Sequence, residues 1–263
     1  MLEWVATELL ERRYYLTPFG QTDKDNYMGY LNRAVWRGTK SFVIAVFALI
    51  AMFGLAGVAH ADCNPGRSQS FGNWHGGWFI TPSGGNPIDG SSANILVTSP
   101  YIDTSYANAD DSAWVMLQGT TYYGQVGWEK SNGDVWDFWQ AYSGLGRYGN
   151  TYGHPTIHNS PEYKVTYSSS AFHMFKNGTA IHTETVSGYS GQNATFSGEI
   201  NDTANQFPGA VGYHVVYQNA QIRSGGTWYG SPGGPSDEFY EKSYFGVYSP
   251  SGSRLEIWDM ACS

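Results

Sequence analysis

Two segments of this chain carry residue types that can share acid–base work, an amide in one and a carboxylate in the other. Gln125 lies in Tyr122-Tyr123-Gly124-Gln125-Val126-Gly127-Trp128-Glu129, and Glu199 lies in Thr195-Phe196-Ser197-Gly198-Glu199-Ile200-Asn201. Residues two apart on a strand share a face. In the first run Tyr122, Val126 and Trp128 form the apolar set and turn to a core, which leaves Tyr123, Gln125, Gly127 and Glu129 on the opposite face. In the second, Phe196 and Ile200 turn inward, and Ser197 and Glu199 face away. A carboxylate can take a proton from water and return it to a leaving amine, whereas a neutral amide only donates hydrogen bonds to an oxyanion. The same two residues also suit a solvated polar sheet face, because periodicity fixes faces and not which strands are neighbours.

Other constellations point elsewhere. His154-Pro-Thr-Ile-His158 has a four-residue spacing that would hold zinc on a helix, but Pro155 and the Gly, Asn and Ser around it make a loop, and no third ligand stands nearby. No metal or cofactor is therefore expected. His173, His182 and His214 are scattered in strand-like runs and read as core or cross-strand partners, and no serine sits in Gly-x-Ser-x-Gly. Flat aromatics in or near loops, Trp136 and Tyr148 among them, suit stacking on sugar rings, so a noncatalytic carbohydrate-binding or adhesive module is the competing reading. Trp114, Trp128 and Trp258 read as core.

The elements that must position these groups are short. Runs rich in β-branched and aromatic residues recur between Gly, Pro, Asn and Ser clusters with no useful helical period after Asp62, the signature of an antiparallel β-sandwich of jelly-roll or concanavalin-like type. The firmest local element is a hairpin with Asn177-Gly178 at its tip, a pair suited to a type I′ turn. The Gly/Pro-rich stretch 230–239 reads as a loop, and no internal repeat divides residues 62–263, which make one domain.

Phe42–Ala59 is an unbroken apolar run of 18 residues behind Arg33, Arg37 and Lys40, and it closes on Ala59-His60-Ala61. This predicts a secretory signal over 28–61, with 1–27 as an upstream extension and Asp62 as the first residue of the exported chain. A single membrane anchor is the alternative, as 18 apolar residues just span a bilayer. Residues 62–263 carry 8 Lys and Arg against 17 Asp and Glu, a net charge of −9. That surface repels phosphate backbones and anionic membranes, which excludes nucleic acid as a partner. Cys63 and Cys262 stand near the two ends of this span. In an oxidising compartment they pair, and on the chain-entropy model so long a loop contributes at most about 5 kcal/mol. A pair of free catalytic thiols is the alternative. Nothing in the residues reports an oligomeric state.

Two motifs add a resemblance. Gln125-Val-Gly127-Trp128, followed by Phe138-Trp139, resembles the segment of neprosin-type glutamic peptidases in which a catalytic carboxylate precedes Ala-Gly-Trp, and Gly198-Glu199-Ile200 resembles that family's second glutamate segment. The likeness spans roughly Ala113 to Ala210. A glutamine at the first position departs from neprosin and is similar to the Gln/Glu pair of the eqolisins, glutamic peptidases built on a β-sandwich. The resemblance implies an acid endopeptidase acting on extracellular polypeptides, with Glu199 as base and acid, Gln125 as oxyanion donor and Tyr123 lining the cleft. It requires Gln125 and Glu199 on the concave face of one sheet, on adjacent strands, with their ends about 5–6 Å apart across one bridging water.

Overall fold

The computed structural model describes residues 63–82, 86–105, 110–144, 146–191, 193–230, 232–241 and 245–262. The apolar run Phe42–Ala59, the segment before it and Asp62 lie outside these residues.

Among the described residues sixteen strands follow in chain order: β1 (Phe71–Ile80), β2 (Ile88–Ile95), β3 (Asp110–Gln118), β4 (Tyr123–Ser131), β5 (Asp134–Tyr142), β6 (Arg147–Thr151), β7 (Glu162–Ser168) and β8 (Ala171–Lys176). Then come β9 (Thr179–Thr185), β10 (Asn193–Asp202), β11 (Gly209–Ala210), β12 (Tyr213–Ser224), β13 (Thr227–Gly230), β14 (Glu238–Tyr240), β15 (Phe245–Ser251) and β16 (Arg254–Asp259). A seven-stranded sheet runs β14-β1-β10-β3-β4-β5-β6, and a second runs β15-β16-β11-β12-β2-β7-β8-β9 with β13 beside β12. The two stack as a sandwich, as expected of the sequence.

The alternation that predicts the strands also makes the core. Trp78, Trp128, Phe196 and Ile200 from the first sheet meet Tyr163, Val165, Phe172, Tyr217 and Ile257 from the second, all fully buried. Burying one such side chain contributes about 1.5–3 kcal/mol, and a one-residue slip of any strand would turn its whole apolar set to solvent. Register is therefore fixed by packing, and the opposite faces of β4 and β10 are free for chemistry. The β8–β9 hairpin turns on Asn177 and Gly178 with φ of 49° and 76°, the left-handed pair of a type I′ turn.

Two expectations need correction, and a third needs placing. The stretch 230–239 is not all loop: it folds into a 3₁₀ turn at Pro235–Asp237 and then enters β14, which pairs with β1 at the edge of the first sheet. Trp258 is not core. Leu255, Ile257 and Asp259 take the inward parity of β16, so Trp258 faces outward and stacks on His214 with ring centroids 4.0 Å apart. Trp114 is buried at 2 % exposure but on the face away from the sandwich interior, where it clusters with Met116 and Phe138. Both faces of β3 are apolar, so its parity could not be read from burial. His173 and His214 are cross-strand partners as expected, bonded to Thr183 and Glu256, whereas His182 bonds to Glu184 on its own strand and stacks on Trp139, and none is in the core.

Cys63 and Cys262 form the expected disulfide, with Cα atoms 5.7 Å apart. The corner they fasten is tied further by Arg67, which pairs with the fully buried Asp259, and by the Cys63 N–H, which donates to Gln206 Oε1 at 2.8 Å. Asp259 also accepts the Phe207 N–H at 2.9 Å, so its charge is met on each oxygen.

Candidate active site

The outer face of the seven-stranded sheet curls into a groove of about 480 Å³ to which β1, β3, β4, β5, β6, β10 and β14 all contribute. Its lining includes His75, Trp114, Tyr123, Gln125, Gln140, Arg147, Thr195, Glu199 and Glu241. Gln125 and Glu199 thus share one sheet, one concave face and one groove.

They are not on adjacent strands. β3 runs between β4 and β10, with Gln125 opposite Met116 and Met116 opposite Thr195, while Glu199 is opposite Ser112. On a flat sheet this offset is about 10 Å across and about 13 Å along the strands. The two residues therefore stand diagonally to either side of Trp114, with a whole strand between them instead of the adjacent placement expected of the sequence. Trp114 lies in register between Gly127 of β4 and Ser197 of β10, and Ser197 pairs with Gly77 of β1. A Cβ at Gly77 would stand 1.9 Å from the Phe196 carbonyl oxygen, and one at Gly127 would stand 2.0 Å from that of Ala113. The groove floor is thus bare main chain beside the indole at Gly127 and, past Ser197, again at Gly77.

Gln125 is oriented by its neighbours. Gln140 Oε1 accepts from Arg147 Nη2 at 2.9 Å, from Gln125 Nε2 at 3.0 Å and from the Tyr123 hydroxyl at 3.1 Å. Arg147 only donates, so Gln140 must present its oxygen there, and Gln125 facing the same oxygen must present its NH₂. One amide hydrogen is used in this bond, and the second remains for another acceptor. Tyr123 also lines the groove, and burial pushes its phenol above the ordinary range against the opposing charge of Arg147.

Glu199 stands in a cross-strand row that reads Glu241, His75, Glu199, Ser112, Glu129 and Trp136 from β14's end to β5. His75 Nε2 is 3.3 Å from Glu199 Oε2, and Nδ1 is 3.2 Å from Glu241 Oε2. Beyond Ser112, burial pushes the Glu129 carboxyl up, with the Glu199 charge adding to it and a bond from Ser131 opposing it. Asp110, one row further, is pushed up to about 7 by burial and then by Glu129 and Glu199. This half of the face is therefore anionic, and the Arg147 end is cationic.

The sugar-stacking candidates do not join the groove. Trp136 shares its sheet face but is held against His154, ring centroids 3.8 Å apart, outside the lining residues. Tyr148 pairs in β6 with Ala141, and its side chain lies outside the described residues. What the sequence reading missed is His75, Glu241, Gln140 and Arg147. His75 was within reach of parity, since Trp74 and Trp78 turn inward and His75, one residue out of phase with them on β1, must face out. Glu241 was not, because it follows β14, which forms only by pairing with β1.

No protein-family profile matches the chain, and no curated protein matches it. Among solved structures the chain is similar to scytalido-glutamic peptidase carrying a peptide-based transition-state analog, at 15% identity and a TM-score of 0.54, over 72% of this chain and 100% of that one. A second structure of scytalido-glutamic peptidase, with a transition state analog inhibitor, is similar at 17% identity and a TM-score of 0.52, over 73% and 100%. At such identities the likeness is one of fold: the chain shares the β-sandwich of these glutamic peptidases.

Proposed function

We propose that this chain is an exported glutamic-peptidase-type hydrolase that cleaves polypeptides with Glu199 and Gln125. The observation that carries the reading is that both line one groove, from β10 and β4, with the Gln125 NH₂ fixed in a donating orientation by Gln140. The peptide bond would lie over Trp114. Glu199 removes a proton from a water as its oxygen attacks the carbonyl carbon, and the free N–H of Gln125 meets the oxyanion that forms. As the C–N bond breaks, Glu199 returns the proton to the leaving amine. No cofactor enters this cycle, and the Gln/Glu composition follows the eqolisin variant of the chemistry more closely than neprosin's two glutamates.

The test is hydrolysis of a denatured protein over about pH 2 to 7, the range in which a carboxylate base can work. Wild type should cleave, and Glu199→Gln, which keeps shape and hydrogen bonding but deletes the base, should not. A wild-type protein that cleaves nothing in that range, yet is retained on an insoluble polysaccharide by Glu199→Gln and wild type alike, would overturn the peptidase reading in favour of sugar binding.

A further inference from the structure

His75 is bracketed by carboxylates on both ring nitrogens, and the bracket is built rather than incidental. β10 supplies Glu199 on one side, and the residue after β14 supplies Glu241 on the other. Glu241 is fixed by the main chain of β1: its Oε2 accepts the His75 N–H at 3.0 Å, and its own N–H donates to the His75 carbonyl at 3.0 Å. From β3 only an uncharged group faces the ring, the Trp114 indole at 5.9 Å and 75°. A neutral imidazole has one N–H and one lone pair, so it would satisfy one carboxylate and aim its lone pair at the other. The imidazolium donates to both.

We infer that His75, as an imidazolium anchored by Glu241, is the positioning residue of the catalytic carboxylate: it holds Oε2 of Glu199 against β1 and leaves the other oxygen to the attacking water. The inference rests on the reading of Glu199 as the base. Burial alone would lower the affinity of His75 for its proton, but the hydrogen bond and charge of Glu199, joined by those of Glu241, outweigh it and hold the pKa above 6.5. Glu199 itself faces Glu129 of β4 and Asp110 of β3, which add negative charge, while Arg147 supplies the countercharge from the far end of the groove. With the folded pKa raised, the imidazolium and its hold on Glu199 extend to higher pH than a free imidazole would allow and are lost as pH rises through that pKa. Turnover should therefore carry an alkaline limb that belongs to neither Gln125, which does not titrate, nor the leaving group.

Two readings taken together decide this. The first is the pH profile of kcat/KM for wild type, His75→Gln, His75→Ala and Glu241→Gln on a denatured protein substrate. The second is the NMR titration of the His75 ring in wild type, Glu199→Gln and Glu241→Gln. The expected result is a wild-type alkaline limb that coincides with the His75 titration, with both moved to lower pH by Glu241→Gln. His75→Gln, whose amide still donates to Glu199, should lose the limb and about 10-fold in kcat with KM unchanged. His75→Ala should lose about 100-fold, the scale of a misplaced catalytic group. An alkaline limb unchanged in His75→Gln, or a wild-type His75 titrating at or below 6.5 and unmoved by either carboxylate substitution, overturns the inference while leaving the peptidase reading intact. Absence of turnover in wild type overturns both.

Discussion

Two histidines of this molecule meet glutamates across neighbouring strands, and they do so with opposite charge ratios. On the outer face of the second sheet His214 Nδ1 lies 2.7 Å from Glu256 Oε2, and Arg254 Nε donates to Glu256 Oε1 at 2.8 Å. There one carboxylate has two nitrogen partners, an imidazole and a guanidinium. Burial would raise the Glu256 carboxyl, but the bonds from His214 and Arg254 more than offset it and hold it below the usual range. In the groove one imidazole has two carboxylates, and the surrounding acids are held above their usual range. The rings also sit differently on their tryptophans, parallel at 13° for His214 on Trp258 and edge-on at 75° for His75 on Trp114. The outer pair is neutralised and stacked, an arrangement for holding strands together. The inner one is short of positive charge and open to the groove, and can therefore gain or lose a proton while the fold stands.

The largest expected contrast is catalytic. Glu199→Gln should lower kcat by at least about 10³-fold, a loss typical of a deleted general base, with the melting temperature little changed. Glu256→Gln should leave turnover as it was and cost at most about 1 kcal/mol in urea unfolding, as partly exposed pairs do. Next comes Gln125→Ala, for which the removal of one oxyanion donor predicts a loss of about 10²–10³ in kcat. Were Gln125→Ala as silent as Glu256→Gln, the groove and the outer face would no longer differ in kind.

Stability against pH sharpens the same comparison, because the two regions carry shifts of opposite sign. Asp110 has a folded pKa of about 7 against 3.8 unfolded. Its folded form keeps a proton that the unfolded chain has released, so its contribution is full below 3.8 and is lost as pH rises to about 7. Denaturant midpoints should fall across that window, by an amount on the order of a few kcal/mol at most, and Asp110→Asn should flatten the slope. Glu256 runs the other way: its contribution is present above 4.5 and is lost as pH falls through its lowered folded value. The smallest effect expected is thus a shallow acid-side loss that Glu256→Gln abolishes.

Strand by strand, the sequence was legible wherever one face is apolar and the other polar. Val126 and Trp128 against Gln125 and Glu129, or Phe196 and Ile200 against Glu199, declare their faces without any knowledge of neighbours. Where both faces are buried, as on β3, the side to which Trp114 turns could not be told. Adjacency was not legible at all: the period of a strand says nothing about its partners, so the insertion of β3 between Gln125 and Glu199 had to be seen. β14 was hidden for a related reason. Its three residues follow the turn-forming run Pro232-Gly233-Gly234-Pro235 and form a strand only because β1 offers an unpaired edge. His75 was within reach, since it stands one step out of phase with Trp74 and Trp78, which turn inward.

The bare main chain beside Trp114 limits how this groove can be remodelled. Any residue other than glycine at Gly77 or Gly127 would drive its first carbon into a neighbouring carbonyl, so neither position can acquire a new side chain without parting the strands. Variation in what the groove accepts must then enter from its rim, through positions such as Phe79, Gln118 and Phe239 that line it without closing against another backbone. A library randomised at those three sites should yield altered cleavage preferences on an intact scaffold, while one randomised at the two glycines should return the parent residue.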